Sequence, residues 1–181
     1  MNILQISDVH IGGEYDGKFK CKGNFIHTLV SAIQRTEHPY VENYDRIVIT
    51  GDLADKDYEE NYEWIRNILD LYGDGIPYFV IPGNHDNPDM MRKVFGDHTL
   101  PAGQDVLFDD ENKIAYINSR VDATPLEDIS FEGHAVKIVF AHHPFFTDVP
   151  HVFMKKWNHP DEQKNYRILK ERGVKYLFCG H

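Results

Sequence analysis

Five short motifs in the chain supply side chains that could bind divalent metal ions. Carboxylate and imidazole groups suit borderline metals such as Zn, Mn, Fe or Ni, and an amide carbonyl suits a harder ion. Two metals held by such groups could clamp a phosphate ester and activate water for its hydrolysis. Each motif alone is common in proteins without a metal, so the prediction rests on their combination. The motifs are Asp8-Val9-His10, Gly51-Asp52, Gly83-Asn84-His85-Asp86, His142-His143-Pro144 and Gly180-His181.

Each motif directly follows a segment that is predicted to be a buried strand. These segments are rich in apolar and β-branched residues, which favour strands. In α/β proteins ligands bind outside the carboxyl ends of strands, where side chains from distant parts of the chain meet. Gly51 and Gly83 would let the chain turn sharply and approach the site closely. The predicted strands cover residues 2–7, 46–50, 77–81, 135–141 and 174–178.

The first half of the chain predicts the fold class. Apolar residues at helical spacing predict helices at 24–35 and 58–71, and a short helix after Pro88. Strands and helices therefore alternate, which is typical of an α/β layer with mostly parallel strands. The sequence contains no internal repeat or linker, so a single domain over 1–181 is the simplest interpretation.

The second half has a different character. Additional strands at 104–108 and 113–118, with a turn-like join near Gly133, predict a second sheet with hairpin connections. A helix is predicted at 161–172. Four aromatic residues follow His-His-Pro, namely Phe145, Phe146, Phe153 and Trp157. They could stack on a base or form a lid, but packing as a loop over the sheet edge is the favoured interpretation.

Composition narrows the possible partners. The formal net charge is −10, with 29 acidic residues, which argues against non-specific binding to nucleic acid. A phosphate-bearing substrate stays possible because bound metals would reverse the local field. No apolar run approaches the roughly 18 residues of a membrane span, and the N-terminus lacks the pattern of a signal peptide. With Cys21 and Cys179 as reduced thiols, the expectation is a cytoplasmic protein.

In their order, the five motifs resemble those of the calcineurin-like metallophosphoesterases, and the cyclic-nucleotide phosphodiesterase (class III) branch is the most similar. The resemblance extends over nearly the whole chain. It implies an α/β fold of two packed mixed β-sheets flanked by helices, in four layers. It also implies hydrolysis of a phosphodiester or phosphomonoester of a small molecule, by attack of a hydroxide held between two divalent metal ions.

The resemblance also implies residue roles. His85 would contact the phosphate and protonate the leaving group, and Asp86 would orient His85 through a hydrogen bond. The implied metal ligands are Asp8 and His10 for the first ion, Asp52 as the bridge, and Asn84, His142 and His181 for the second.

The sequence departs from the family pattern at two places. The family's last motif is Gly-His-x-His, whereas this chain ends at His181. A domain truncated at its C-terminus, with an incomplete C-terminal edge and a weakened first metal site, is therefore expected. The stretch 119–133 lacks a glutamine-rich helix associated with the cyclic-nucleotide branch, so the predicted substrate stays a small phosphate ester in general.

Two alternatives remain open at the level of the sequence. One is a phosphoesterase-like scaffold that has lost catalysis, although such scaffolds usually lose several ligands and this chain keeps them. The other is a nuclease of the same superfamily, against which the acidic balance and the lack of a basic groove with interleaved aromatic residues argue.

Overall fold

The computed structural model describes residues 1–33, 44–145 and 162–181. Within them, the first sheet has three parallel strands in chain order. They are β1 (Ile3–Ile6), β2 (Arg46–Thr50) and β3 (Tyr78–Ile81). The central strand β2 is buried at every residue after Arg46, as expected for a continuous β-branched run that is covered on both faces.

Helices cover the outer face of this sheet. α2 buries Phe25 and Leu29, and α3 buries Tyr62, Ile65 and Leu69, at the spacing that places side chains on one helix face. The side chain of the residue before α4 accepts a hydrogen bond from Met90 N, and a proline begins the helix, as is common at helix starts. The helices are α1 (Gly13–Phe19), α2 (Cys21–Ile33), α3 (Glu59–Tyr72) and α4 (Pro88–Phe95).

The helix α1 was not predicted from the sequence. Its residues, GEYDGKF, contain two glycines and few apolar side chains, so they show no helical pattern of hydrophobic residues. Local hydrogen bonds from the backbone to a side chain stabilise it instead. Asp16 accepts hydrogen bonds from the N–H groups of Gly12 at 3.3 Å and Lys22 at 3.0 Å, which fixes both ends of the segment.

The second sheet has four strands in the described part of the chain, again in chain order. They are β4 (Val106–Asp109), β5 (Ile114–Ile117), β6 (Ile138–Phe140) and β7 (Tyr176–Phe178). β4 and β5 form the predicted antiparallel hairpin, but β6 pairs in parallel with both β5 and β7. The hairpin predicted near Gly133 is therefore wrong. Parallel neighbours need a crossover, and the helix α5 (Glu162–Glu171) lies in the one between β6 and β7.

The two sheets pack face to face. A shared cluster joins Val48 and Ile81 of the first sheet to Ile114 and Phe140 of the second, and separate clusters lie under the helices on each outer side. This arrangement confirms the predicted fold of two packed sheets flanked by helices. Away from the predicted metal site, Arg46 Nη1 joins the sheets by a 2.6 Å ion pair with Asp109 and a 2.5 Å hydrogen bond to Tyr116.

Three other sequence predictions concern parts of this fold. Phe145 is buried in the core of the second sheet, whereas the other aromatic residues predicted to form a loop, Phe146, Phe153 and Trp157, lie outside the described residues. Both cysteines are free thiols. In the described ranges no helix combines the length and the apolar character that crossing a membrane requires.

Candidate metal centre

The predicted ligands converge where the two sheets meet at the ends of their strands. Among the described residues, three groups of side chains place their ligand atoms within 4.8 Å of one another. The groups are Asp8, Asp52 and His142; His10, Asp52 and His85; and His142, His143 and His181. Asp52 and His142 each belong to two groups, so the three form one continuous cluster.

Asp52 lies at the middle of the cluster. Its Oδ2 is 3.7 Å from His10 Nε2 and 3.3 Å from His142 Nε2, while its Oδ1 accepts a 3.0 Å hydrogen bond from the N–H of His85. Burial alone would raise its pKa, but the hydrogen bond and charge of His142 outweigh burial and lower the pKa of Asp52 to about 2. Asp52 is therefore an ionised carboxylate with one oxygen facing two imidazoles, as a bridging ligand requires.

The ring of His142 is fully buried and its protonation can be assigned from its partners. Nδ1 lies 2.8 Å from the carbonyl oxygen of Thr50, which can only accept, so Nδ1 carries the proton. Nε2 then points at two further acceptors, Asp52 Oδ2 and Asn84 Oδ1, the latter at 3.1 Å. Burial lowers the pKa of His142, yet the hydrogen bond and charge of Asp52 raise it overall. Two oxygens around one imidazole nitrogen suit a cation, either a proton or a metal ion.

Asp8 and His181 meet on the other side of Asp52. Asp8 Oδ2 accepts hydrogen bonds from Ser7 Oγ at 2.6 Å and from the N–H of His181 at 3.0 Å, and Asp8 Oδ1 is 3.9 Å from His10 Nε2. The ring of His181 lies 5.1 Å from that of His142, centroid to centroid. The first and last motifs of the chain are therefore in direct contact.

His143 had no predicted role, yet it is part of the cluster. Its ring centroid is 4.5 Å from that of His181. Burial, followed by the charges of His142 and His181, lowers the pKa of His143 to about 4. His143 is therefore neutral near pH 7, and a neutral imidazole is the form that can bind a metal.

The backbone at the predicted ligands is strained. Of the seven non-glycine residues with positive φ in the described ranges, four are predicted ligands, with φ between 49° and 69°. They are Asp8, His10, Asp52 and His181. Hydrogen bonds hold two of them, from Asp8 N to Gly51 O at 3.1 Å and from His10 N to Asp52 O at 2.9 Å. Such conformations cost about 1–3 kcal/mol each and cluster at functional sites.

Two glycines permit the close approach that was predicted for them. Gly51 has φ of 85°, and a Cβ atom there would overlap the ring of His142. A Cβ atom at Gly83 would overlap the carboxylate and backbone nitrogen of Asp52. Any larger residue at either position would displace a predicted ligand.

The structure corrects the role predicted for Asp86. Its buried carboxylate accepts hydrogen bonds from the N–H groups of Leu53 at 3.1 Å, Ala54 at 3.2 Å and Gly83 at 2.9 Å. Asp86 therefore ties together the loops after β2 and β3 and does not orient His85. Sequence spacing suggested the pairing, but adjacent residues in this turn point in different directions.

The carboxylate that stands beside His85 is that of Asp55, which sequence reasoning missed. Asp55 Oδ1 is 3.7 Å from His85 Nδ1, and the Asp55 side chain is only 8% exposed. The available signal was its position three residues after Asp52, in the loop that follows the same strand. A second missed residue is Ser119, whose Oγ accepts hydrogen bonds from the N–H groups of His142 at 3.1 Å and His143 at 2.8 Å.

The side chains of this cluster could hold divalent metals. The family model for calcineurin-like phosphoesterases matches residues 1–181, so the chain belongs to that family, and its class is that of hydrolases acting on phosphoric esters. The resemblance predicted from the motifs is thereby confirmed.

Individual relatives point to the cyclic-nucleotide phosphodiesterase branch that the motifs resemble. The chain is 28% identical over 196 residues to a probable cyclic nucleotide phosphodiesterase of Fibrobacter succinogenes, covering 100% of this chain and 72% of the relative. It is 24% identical over 195 residues to the 3',5'-cyclic adenosine monophosphate phosphodiesterase CpdA of Escherichia coli, covering 100% and 69%. A probable glycerophosphodiester phosphodiesterase of Arcobacter nitrofigilis is 29% identical over 98 residues, covering 54% and 34%. The chain thus spans about seven tenths of two of these relatives and one third of the other.

Proposed function

We propose that this chain hydrolyses a phosphodiester or phosphomonoester of a small molecule, using two divalent metal ions chosen from Mn, Fe, Zn and Ni. The observation that carries the proposal is the position of Asp52 Oδ2, which faces His10 Nε2 at 3.7 Å and His142 Nε2 at 3.3 Å. One anionic oxygen between two imidazole nitrogens supports Asp52 as the ligand that two metals would share.

The donor set fits this assignment. We assign Asp8 and His10 to the first ion and Asp52 to both. Asn84 and His142 belong to the second ion, whose remaining ligand is His181. The tautomer of His142 supports the assignment, because its hydrogen bond to Thr50 leaves Nε2 free to bind a cation. Divalent metals bound here would supply Lewis acidity toward phosphoryl oxygens and lower the pKa of water toward neutrality.

His85 is the proposed proton donor. Its side chain is 37% exposed, and its ring lies edge-on to that of His10, with centroids 5.1 Å apart. An imidazolium at this place would contact a phosphate bound at the ligand cluster and give a proton to the leaving oxygen. Asp55, 3.7 Å from His85 Nδ1, would hold the orientation of the imidazole. Asp55 therefore takes the supporting role first predicted for Asp86.

The substrate class follows from the site and from the relatives. Names of cyclic nucleotide and glycerophosphodiester phosphodiesterases among the relatives favour a small phosphodiester. The acidic chain disfavours a long nucleic acid, because phosphate contacts along such a polymer rely on lysine and arginine. We therefore propose a small phosphodiester as the preferred substrate.

An activity assay with defined metals tests the proposal. The chain is incubated with bis-p-nitrophenyl phosphate, p-nitrophenyl phosphate or cyclic AMP, with Mn, Zn or Fe added singly. We expect metal-dependent turnover of the diester. The variant His85→Ala should keep its metals, measured by elemental analysis, and lose turnover by about 100-fold or more.

His98→Ala is the matched control for this assay, because His98 is an exposed histidine stacked on Tyr78, outside the ligand cluster. Its turnover should equal that of the wild type. Loss of metal from His85→Ala would contradict the role of His85. Absence of hydrolysis with every metal and substrate would instead favour a phosphoesterase-like scaffold.

A further inference from the structure

The residues directly after β5 reach two of the loops that carry the candidate metal centre, the loop after β6 and the loop after β3. Ser119 holds the His142-His143 backbone through its hydroxyl, as described above. The next residue, Arg120, extends toward the loop after β3. Its backbone N–H donates to the side-chain oxygen of Asn118 at 3.2 Å, which fixes the start of the side chain. Nothing in the motif pattern marks Arg120, because it belongs to none of the five motifs.

The guanidinium of Arg120 is held on two sides. Its Nη1 donates to the carbonyl oxygen of Gly83 at 3.1 Å and also to that of Asp86. Its Nε and Nη2 donate to the two carboxylate oxygens of Asp122, at 3.0 Å and 3.3 Å. The side chain is only 21% exposed. A planar guanidinium that is bonded along two edges has little freedom to move.

The two carbonyl groups that Arg120 binds lie on either side of Asn84 and His85. The N–H groups of this turn also have partners: Gly83 N donates to Asp86 Oδ2 at 2.9 Å, Asp86 N donates to Gly83 O at 3.3 Å, and His85 N donates to Asp52 Oδ1 at 3.0 Å. The side chains of Asn84 and His85 are themselves exposed, so packing alone does not fix their direction. Besides the contacts of Asn84 with His142 and of His85 with Asp55, their orientation depends on the backbone of the turn, whose carbonyl groups Arg120 binds.

We propose that Arg120 is a positioning residue for His85, acting through the carbonyl groups of Gly83 and Asp86. This inference rests on the proposed function, in which His85 protonates the leaving group. A lysine ammonium at this position could donate to the same carbonyl groups, but it lacks the second edge that pairs with Asp122. Small displacements of a catalytic group are costly, since an error of about 1 Å can reduce turnover about 100-fold.

A comparison of two arginines provides the activity test. Arg92 makes a similar pair of contacts, to the carbonyl of Gly96 at 2.5 Å and to Asp97 at 2.9 Å, but outside the His85 turn. We expect Arg120→Met to lower kcat about 10–100-fold with KM changed less than about threefold. Arg120→Lys should recover part of kcat, and Arg92→Met should match the wild type.

A double-mutant cycle separates positioning of His85 from general damage. If Arg120 acts through His85, then Arg120→Met should change kcat less than about threefold in a His85→Ala background. An equal fold loss in both backgrounds would overturn the proposal. Should Arg120→Met fail to fold, Asp122→Asn serves instead. Asp122→Asn weakens the contact at the outer edge of the guanidinium. This variant should lose less kcat than Arg120→Met, and the loss should again be absent in the His85→Ala background.

Amide hydrogen exchange gives a readout that needs no turnover. Loss of two hydrogen bonds to the turn should speed exchange at the N–H groups of Gly83 and His85 about tenfold in Arg120→Met, and not in Arg92→Met. Unchanged exchange would contradict the proposal even in an active enzyme. If the wild type hydrolyses none of the substrates but exchange responds to Arg120→Met, the proposed function fails while the link between Arg120 and the turn stands.

Discussion

The two sheets contribute to the candidate metal centre in different ways. The first sheet is entirely parallel, and its strands β1 and β2 end in ligands with strained backbone: Asp8, His10 and Asp52 all have positive φ. The second sheet is mixed and contributes His142, a fully buried imidazole, from the end of β6. Strained backbone occurs on both sides of the centre, because His181 after β7 also has positive φ, whereas the fully buried imidazole of His142 is contributed by the second sheet.

The two contributions meet only because the sheets pack together. The ring of Phe79 in the first sheet stacks on Tyr116 in the second, with centroids 4.2 Å apart. Beyond this shared core, His142 Nδ1 binds the carbonyl oxygen of Thr50 at the end of β2. The distance between Asp52 and His142 is thus set by sheet packing, and the geometry of the centre depends on the fold of the whole described region.

Substituting one predicted ligand from each sheet should give the largest difference in metal content and turnover. Asp52→Asn replaces the carboxylate that both proposed metals would share with a neutral amide, so we expect loss of both metals. The fall in turnover should exceed the roughly 10–100-fold that is typical when a group bonded to a ligand is lost. His142→Asn should release one metal and keep the other. Elemental analysis after dialysis measures both; retention of two metals by Asp52→Asn would contradict the bridging role.

Gly51 tests the close contact between the sheets. In Gly51→Ala the left-handed backbone costs about 1–2 kcal/mol and overlap with the His142 ring adds about 1–3 kcal/mol. Gly103→Ala is the control, because Gly103 has φ of 68° but open space at its Cβ position. Gly103→Ala should lose only the stability that the left-handed backbone costs. Urea unfolding in a chelator measures both, and equal losses would mean that the His142 ring yields freely.

The smallest expected effects separate the two carboxylates near His85. Asp86→Asn should lower the free energy of unfolding by about 1–3 kcal/mol, because Asp86 satisfies buried backbone N–H groups of the loops after β2 and β3. Asp55→Asn should leave stability nearly unchanged and lower kcat about tenfold. Urea unfolding and steady-state kinetics on both variants test this. A larger kcat loss in a stable Asp86→Asn would restore the role first predicted for Asp86.

Much of the first sheet could be predicted because its signals are local. The apolar run at β2 was predicted with its observed limits, residues 46–50, and the helices α3 and α4 were predicted to within a residue or two. The second sheet was predicted less well. Its strands were recognised, but the parallel pairing of β6 was not, since short apolar runs do not specify the direction of their neighbours.

The sequence by itself determined which strands end in ligand-type residues, because apolar runs and the glycines that stop them act along the chain. Only the tertiary structure decided that Asp55 and not Asp86 faces His85, and that Arg120 binds the turn that carries His85. The physical reason is distance. A hydrogen bond requires its partners to lie within about 3 Å, and an ion pair within about 4 Å. Which distant loops come that close follows from how the two sheets pack, a property that no single segment contains.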